Sequence, residues 1–258
     1  MASEGTDGLT THSEATTDGF FHPTGKSDQD LMLTEADFAD EVADRHLRFD
    51  ASQYDDIYVV GDVHGCIDEL RTLWERLDPS DDDVVLFVGD LIRKGPDSEA
   101  VVEFVQSRPN AMSVRGNNEA KVINDRIDTD PFAAFEEDLE ELPVVISWDD
   151  AMIVHGGVHP EWALADHDVV DLQEMRGVPV GNSYDGPYWF DSYQGPPRVF
   201  FGHTVLADPV VREWAIGLDT GCVYGGELTA YDYRADEFVS VPAEETYQDR
   251  SDDKILDV

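Results

Sequence analysis

The sequence predicts an α/β fold, on three observations. Short apolar runs end in glycine-containing polar strings. Apolar residues then recur at helical spacing. This strand–loop–helix order repeats along the first half of the chain. Ile57-Tyr58-Val59-Val60 is an apolar run closed by Gly61 and reads as a buried strand. Ile67, Leu70, Leu73, Trp74 and Leu77 follow with the period of an amphipathic helix. Val84 to Val88 is a second buried strand, followed by a loop and a helical stretch over Ser98 to Gln106. Ala111 to Val114 is a third strand and leads into another loop and helix. Consecutive units of this kind predict parallel pairing.

The second half is richer in strands. Val144 to Ser147 and Met152 to Val154 flank Asp149-Asp150 as a hairpin would. Val199 to Phe201, Ala215 to Leu218, Leu228 to Tyr233 and Phe238 to Val241 continue the pattern. Asp166 to Pro197 is rich in Pro and Gly and reads as a long irregular connection, the kind that carries substrate contacts. Residues 1–30 are polar and acidic without periodicity, a disordered leader. Residues 31–52 read as a short helical extension, with Thr34 capping a helix through Arg45. Residues 53–243 form the main domain, and 244–258 an acidic tail expected to fray.

The 258 residues carry 57 acidic and 17 basic side chains, a formal net charge of -40. Such a surface repels polyanions, so neither stable nucleic-acid binding nor attachment to an anionic membrane is expected. The paucity of lysine (four, against thirteen arginines) suggests a halophilic protein, because molar salt screens the self-repulsion of an acidic shell. No apolar run is long enough to span a bilayer, and Met1 to Thr17 has no signal-peptide pattern. Two cysteines, Cys66 and Cys222, are too few for a disulfide scaffold and suit a reducing cytoplasm.

In open α/β sheets ligands sit at the carboxyl ends of strands. Here those ends carry metal-ligand chemistry. The first strand runs into Gly61-Asp62-Val63-His64-Gly65, and the second into Gly89-Asp90, then Lys94-Gly95-Pro96. The third runs into Arg115-Gly116-Asn117-Asn118-Glu119, and later strands deliver His155-Gly156-Gly157 and Gly202-His203-Thr204. Asp62, His64, Asp90, Asn117, His155 and His203 thus make an oxygen and nitrogen set suited to Mn, Fe, Zn, Ni or Co, with no thiolate required. Six ligands are too many for one tetrahedral zinc and suit two divalent ions, Mn foremost, sharing a carboxylate. Asp90, central in order, is the natural bridge.

These linked strings resemble the calcineurin-like metallophosphoesterase superfamily and its phosphoprotein phosphatase branch, over roughly Ile57 to Val241. The stretches Leu91 to Ser98 and Gly217 to Ala230 are similar to those of bacterial bis(5'-nucleosyl)-tetraphosphatases, both symmetrical and PrpE-type. The resemblance implies a four-layer α/β/β/α sandwich of two mixed sheets with a dinuclear centre at the strand ends. It places Asp62, His64 and Asp90 on a first ion, and Asp90, Asn117, His155 and His203 on a second. It implies hydrolysis of dinucleoside polyphosphates by attack of a metal-bridging hydroxide, with a protein phosphatase acting on phosphoserine, phosphothreonine or phosphotyrosine as the alternative.

Two positions depart from the branch. The residue after the metal-binding Asn is usually a His acting as general acid, and here it is Asn118. The Asp that usually pairs with that His is replaced by Arg93, and Lys94 stands where Arg is usual. The two changes read as one coordinated replacement. General acid help is typically worth about 10²–10⁴-fold. Its loss harms expulsion of an alkoxide far more than expulsion of a phosphate or nucleotide, so anhydrides or aryl phosphates are the expected substrates. Asn118 remains a hydrogen-bond donor. Arg93, Lys94 and Arg176 are the candidates to neutralise phosphoryl charge, and His159 is a possible substitute acid.

Other residues carry blander readings. Arg115 orders its loop or touches substrate. Arg176 has an alternative role pairing with surface carboxylates. Trp189 and Tyr193 line a base pocket or pack in the core. His12, His22, His46 and His167 are expected at the surface, and both cysteines as small apolar residues. The acidic runs Asp81 to Asp83 and Glu136 to Asp138 read as solvated faces. A non-catalytic scaffold is opposed by the complete ligand set, and a nuclease by the charge.

Overall fold

The structure, a computed structural model, describes residues 33–181 and 183–258. The leader expected over residues 1–30, with His12 and His22, lies outside them. The chain enters the fold through a short turn over Glu35–Asp37, then α1 (Asp40–Ala43) and β1 (His46–Arg48). The single helix expected from Thr34 to Arg45 is therefore broken. At the start of the turn the Thr34 backbone N–H and hydroxyl both donate to the Asp37 carboxylate, at 2.7 and 2.9 Å. Phe38 is extended, which lets it and Val42 turn onto the same apolar layer.

Three parallel strands follow as the periodicity predicts: β2 (Ile57–Val60), β3 (Val84–Phe87) and β4 (Ala111–Ser113), separated by α2 (Ile67–Leu77) and α3 (Ser98–Gln106). α4 (Asn117–Ile123) starts directly behind β4 and α5 (Glu136–Glu141) comes next. The expected hairpin is present as β5 (Val145–Trp148) and β6 (Ala151–Ile153), antiparallel across Asp149-Asp150. The connection over 166–197 is less irregular than its composition suggests, since it contains α6 (Val169–Glu174). It is followed by β7 (Arg198–Phe201), β8 (Val210–Val211), β9 (Ala215–Gly217), β10 (Glu227–Asp232) and β11 (Glu237–Pro242).

These strands build two mixed sheets, ordered β1-β5-β6-β7-β9-β8 and β11-β10-β2-β3-β4. Strand alternation sorts the side chains into layers. Ile57, Val59, Val84 and Leu86 meet Ile146, Trp148, Phe200 and Ile216 between the sheets. On the opposite face Tyr58, Val60, Val85 and Phe87 pack against Leu70 and Leu73 of α2 and Val101, Val102 and Val105 of α3. The far face of the six-stranded sheet buries Met152, Val199 and Phe201 under Leu172, Trp189 and Phe190. The expected sandwich of two mixed sheets between helical layers is the observed architecture.

Two expected boundaries move. β1 pairs in parallel with β5, so the described part of that segment, residues 33–52, joins the sandwich and is not an extension. The tail is not frayed. Leu256 is buried and bridges to Leu206, and the Glu244 N–H and Tyr247 hydroxyl both donate to Glu69 Oε1 at 2.9 Å. Its few apolar and aromatic residues suffice to dock an otherwise acidic segment. Asp83 also departs from the solvated reading. It is buried and accepts from the N–H groups of Asp56 and Ser80, at 2.9 and 2.7 Å.

Candidate metal centre

The six candidate ligands converge. Asp62, His64, Asp90, Asn117, His155 and His203 are all buried polar residues gathered from loops that follow β2, β3, β4, β6 and β7. Oxygens of Asp62 and Asp90 and a nitrogen of His155 lie within 4.8 Å of one another. His64 Nε2 is 3.5 Å from Asp90 Oδ2 and 3.7 Å from Asp62 Oδ2, and His155 Nε2 is 3.3 Å from Asp90 Oδ1. Asp90 thus lies between two imidazoles.

Local backbone shape aims these groups. His64, Asp90, Arg93, Lys94 and His203 all adopt positive φ, between 52° and 72°. Non-glycine residues avoid that region, and such strain concentrates at functional sites. Gly202 and Gly116 leave the room the carboxylates need. A Cβ on Gly202 would stand 2.0 Å from Asp62 Oδ1, and one on Gly116 2.2 Å from Asp90 Oδ1.

Backbone carbonyls orient the rings. Nδ1 of His155 lies 2.7 Å from the Val88 carbonyl, and Nδ1 of His64 lies 3.2 Å from that of Ile92. A donor Nδ1–H there leaves the lone pair on Nε2, facing the carboxylates, as in metal-bound imidazoles. His203 Nε2 is 3.1 Å from the Glu174 carbonyl, so this ring would ligate through Nδ1. The His203 backbone N–H in turn donates to Asp62 at 3.2 Å.

The electrostatics call for a cation. Burial, then Asp219, holds Asp62 well above the usual carboxylate range. Burial opposes the charge on Asp90 as well, but His155, His64 and Lys94 outweigh it and hold the group well below that range. Burial would lower His155, yet Asp90 and then Asp62 raise it to about 9. Burial and Lys94 lower His64 to about 3, and burial and Arg176 push His203 well down. Lys94 Nζ sits 2.6 Å from His64 Nε2, a cation standing beside the acidic pair. His155 Nε2 is buried with no hydrogen-bond partner. A buried set of carboxylate oxygens, an amide and outward-facing imidazole nitrogens fits divalent ions of the Mn, Fe or Zn type.

The departures at Arg93 and Asn118 meet. An Arg93 guanidinium N–H donates to Asn118 Oδ1, and Asn118 Nδ2 donates to Asp90 Oδ2 and, at 3.0 Å, to Asn117 Oδ1. The two replacements are therefore spatial partners, as their pairing in the sequence suggests.

Cationic side chains line the approach in a ladder with two tyrosines. Lys94 lies over the Tyr224 ring at 5.4 Å, and Arg250 over Tyr224 at 4.6 Å and Tyr184 at 5.2 Å. Arg176 lies over Tyr184 at 4.5 Å and donates to the His203 carbonyl at 2.6 Å. Arg176 thus belongs to the site's wall rather than to the acidic surface.

Sequence reasoning missed three residues. Glu119 is fully buried and accepts from the N–H groups of Gly116, Asp90 and Ile92, at 2.8, 2.9 and 3.2 Å, tying two ligand loops together. Its signal was its place three residues after Gly116, the spacing of a capping box. Asp219 is buried at the end of β9, and Arg250 comes from the docked tail. Of the other expectations, Trp189 and Tyr193 keep the core reading, Trp189 Nε1–H donating to the Gly156 carbonyl at 3.2 Å and Tyr193 packing edge-on against it. His167 is buried rather than exposed, its Nε2 accepting from the His159 N–H at 2.7 Å. His46 is half-buried, 2.7 Å from the Ser147 hydroxyl. His159 Nδ1 accepts from the Glu161 N–H at 3.2 Å, and its ring stacks on Trp162. Arg115 donates to the Glu140 carbonyl, the loop-ordering role.

A family model for calcineurin-like phosphoesterases matches residues 56–230. The chain belongs to this family. Calcineurin-like phosphoesterases are metal-dependent hydrolases, and proteins similar to this member include bis(5'-nucleosyl)-tetraphosphatases. It is 28% identical over 233 residues to an asymmetrical bis(5'-nucleosyl)-tetraphosphatase PrpE of Halalkalibacterium halodurans, covering 72% of this chain and 93% of the relative. It is 27% identical over 250 residues to a symmetrical bis(5'-nucleosyl)-tetraphosphatase of Vibrio parahaemolyticus, covering 67% and 93%. A crystal structure of a candidate diadenosine tetraphosphatase superposes with a TM-score of 0.70 at 30% identity, over 77% of this chain and 98% of that one. A Saccharomyces cerevisiae protein serine/threonine phosphatase shares the fold, with a TM-score of 0.56 at 16% identity over 81% and 85%. No helix among the described residues is long and apolar enough to cross a membrane.

Proposed function

We propose that this phosphoesterase hydrolyses phosphoanhydride bonds of dinucleoside polyphosphates. The contact between Arg93 and Asn118 carries the reading. At the position where the branch usually places a proton-donating histidine, this chain has a carboxamide engaged with Asp90 and a guanidinium. Neither group protonates a departing alkoxide at neutral pH, so the leaving group must be a weak base already. A nucleotide or phosphate meets that condition, and phosphoserine does not.

The residues divide the work. Asp62, His64, Asp90, Asn117, His155 and His203 would hold two divalent ions. When bound, such ions activate water and neutralise phosphoryl oxygens. Glu119 holds the loops of Asp90 and Asn117 in register. Arg93 and Lys94 neutralise the transferring phosphoryl group, and Asn118 holds the Arg93 guanidinium beside Asp90. Arg176 and Arg250 extend the cationic wall and suit the remaining phosphates of a polyphosphate chain. Four of the chain's 17 basic residues are thus gathered at one mouth of a molecule of net charge -40. We take the ion as Mn²⁺ and the setting as a cytoplasm of high salt, where the charge of -40 is screened.

The test is product analysis. The full chain, supplied with Mn²⁺ in molar salt, is offered diadenosine tetraphosphate and a phosphoserine peptide, and products are separated by chromatography. Faster turnover of the dinucleotide is expected, and its products also report the symmetry of cleavage. Faster turnover of the peptide overturns the proposal and favours a protein phosphatase.

A further inference from the structure

A second cluster of ligand-type side chains lies outside the centre described above. Cys66, the residue before α2, Glu69 in the first turn of α2, and Cys222, which opens the turn Cys222–Tyr224, are all buried. Their two sulfurs and one carboxylate oxygen lie within 4.8 Å of one another. Glu69 is 1% exposed. Its Oε1 is satisfied by the Glu244 N–H and the Tyr247 hydroxyl, whereas its Oε2 is buried with no hydrogen-bond partner. Leaving a buried acceptor unpaired costs roughly 1–3 kcal/mol, more when it is charged. Packing alone does not explain a carboxylate oxygen placed beside two thiols.

We propose that Cys66, Glu69 and Cys222 bind a divalent ion of borderline softness, Zn²⁺ foremost, at a site separate from the catalytic centre. Sulfur donors select such ions, and the six residues of the catalytic centre offer only oxygen and nitrogen. A zinc–sulfur bond of about 2.3 Å sets two sulfurs on one ion about 4 Å apart, within the observed cluster. Each thiol gives its proton to solvent on binding, so two thiolates and one carboxylate face the dication. Three protein donors are one fewer than a closed structural zinc site has, so the ion is removable by chelators. Once in place it ties the start of α2, directly behind the loop of Asp62 and His64, to the turn that follows Asp219. Glu69 also anchors the tail, so the ion would brace the segment that carries Arg250.

Cobalt makes the site visible. Thiolate-to-cobalt charge transfer absorbs in the near ultraviolet, and the chain has only two cysteines, so that band reports this cluster alone. The chelator-treated full chain is titrated with Co²⁺, with circular dichroism confirming the fold. A near-ultraviolet band saturating at one equivalent, additional to the Co²⁺ held by the catalytic centre and displaced by Zn²⁺, is expected. C222S should lose that band and keep the visible absorption of the other bound Co²⁺. Absence of the band in the folded wild-type chain at saturating Co²⁺ overturns the proposal, whether or not the variant folds. So does a band unchanged in C222S.

Discussion

Restoring a proton donor should widen the substrate range only if the Arg93 partner is removed as well. In the single variant Asn118→His an imidazole would stand in contact with the Arg93 guanidinium, which now donates to Asn118 Oδ1. Two positive charges about 4 Å apart repel by roughly 4 kcal/mol at an effective dielectric of 20. At 1.36 kcal/mol per unit, that lowers the imidazole pKa by about three units. Such a histidine is neutral at pH 7 and donates poorly to an alkoxide. The double variant Arg93→Asp/Asn118→His replaces repulsion with attraction and keeps the ring protonated. General acid catalysis spans about 10²–10⁴-fold. The double variant should therefore gain about 10²-fold in kcat/KM on a phosphoserine peptide, and the single variant less than about tenfold. Hydrolysis of diadenosine tetraphosphate should change little, because its leaving group needs no proton. Steady-state kinetics on both substrates decide the matter. A gain in the single variant equal to that in the double would refute the electrostatic reasoning.

Three further outcomes follow from named contacts. Arg250→Ala should raise KM for diadenosine tetraphosphate about tenfold, the scale of one charge-assisted hydrogen bond, and leave hydrolysis of p-nitrophenyl phosphate unchanged. Gly202→Ala forces a methyl group to within 2.0 Å of Asp62 Oδ1, so it should cost at least about 10²-fold in activity, read by the same assay, while the protein stays folded. His46, lowered to about 4 by burial and then Arg48, binds its proton in the unfolded chain near pH 6.5. Its contribution is present above pH 6.5 and is lost as pH falls toward 4, about 3 kcal/mol at most. Denaturant melts at pH 7 and pH 5 should show a smaller acid-induced drop in stability for His46→Gln than for the wild type.

The centre was legible because its ligands sit in short strings bound to strand ends. Asp62, His64, Asp90, Asn117, His155 and His203 each sit beside or within two residues of a glycine, and strand-end geometry then brings them together without further information. The parallel strands β2 and β3 were legible because burial on both faces makes them continuously apolar, and β4 because Ala111 and Met112 run on into Val114. β1 and β8 were not, because β1 has a single apolar residue between His46 and Arg48 and β8 is only two residues long. The tail and Arg250 were hidden for another reason. Charge dominates the composition after Glu244, while Tyr247 and Leu256, the residues that dock it, carry no spacing that reveals a partner. Asp219 and the contacts of Glu119 with Asp90 and Ile92 join groups distant in sequence, and only the Gly116 contact of Glu119 has a local spacing.

The central claim is that Asp90 is shared between two ions. Crystals grown with Mn²⁺ and measured for anomalous scattering at the manganese edge test it most directly. Two peaks flanking the Asp90 carboxylate are predicted, one toward Asp62 and His64 and the other toward Asn117, His155 and His203. A single peak, or peaks away from Asp90, would contradict the account.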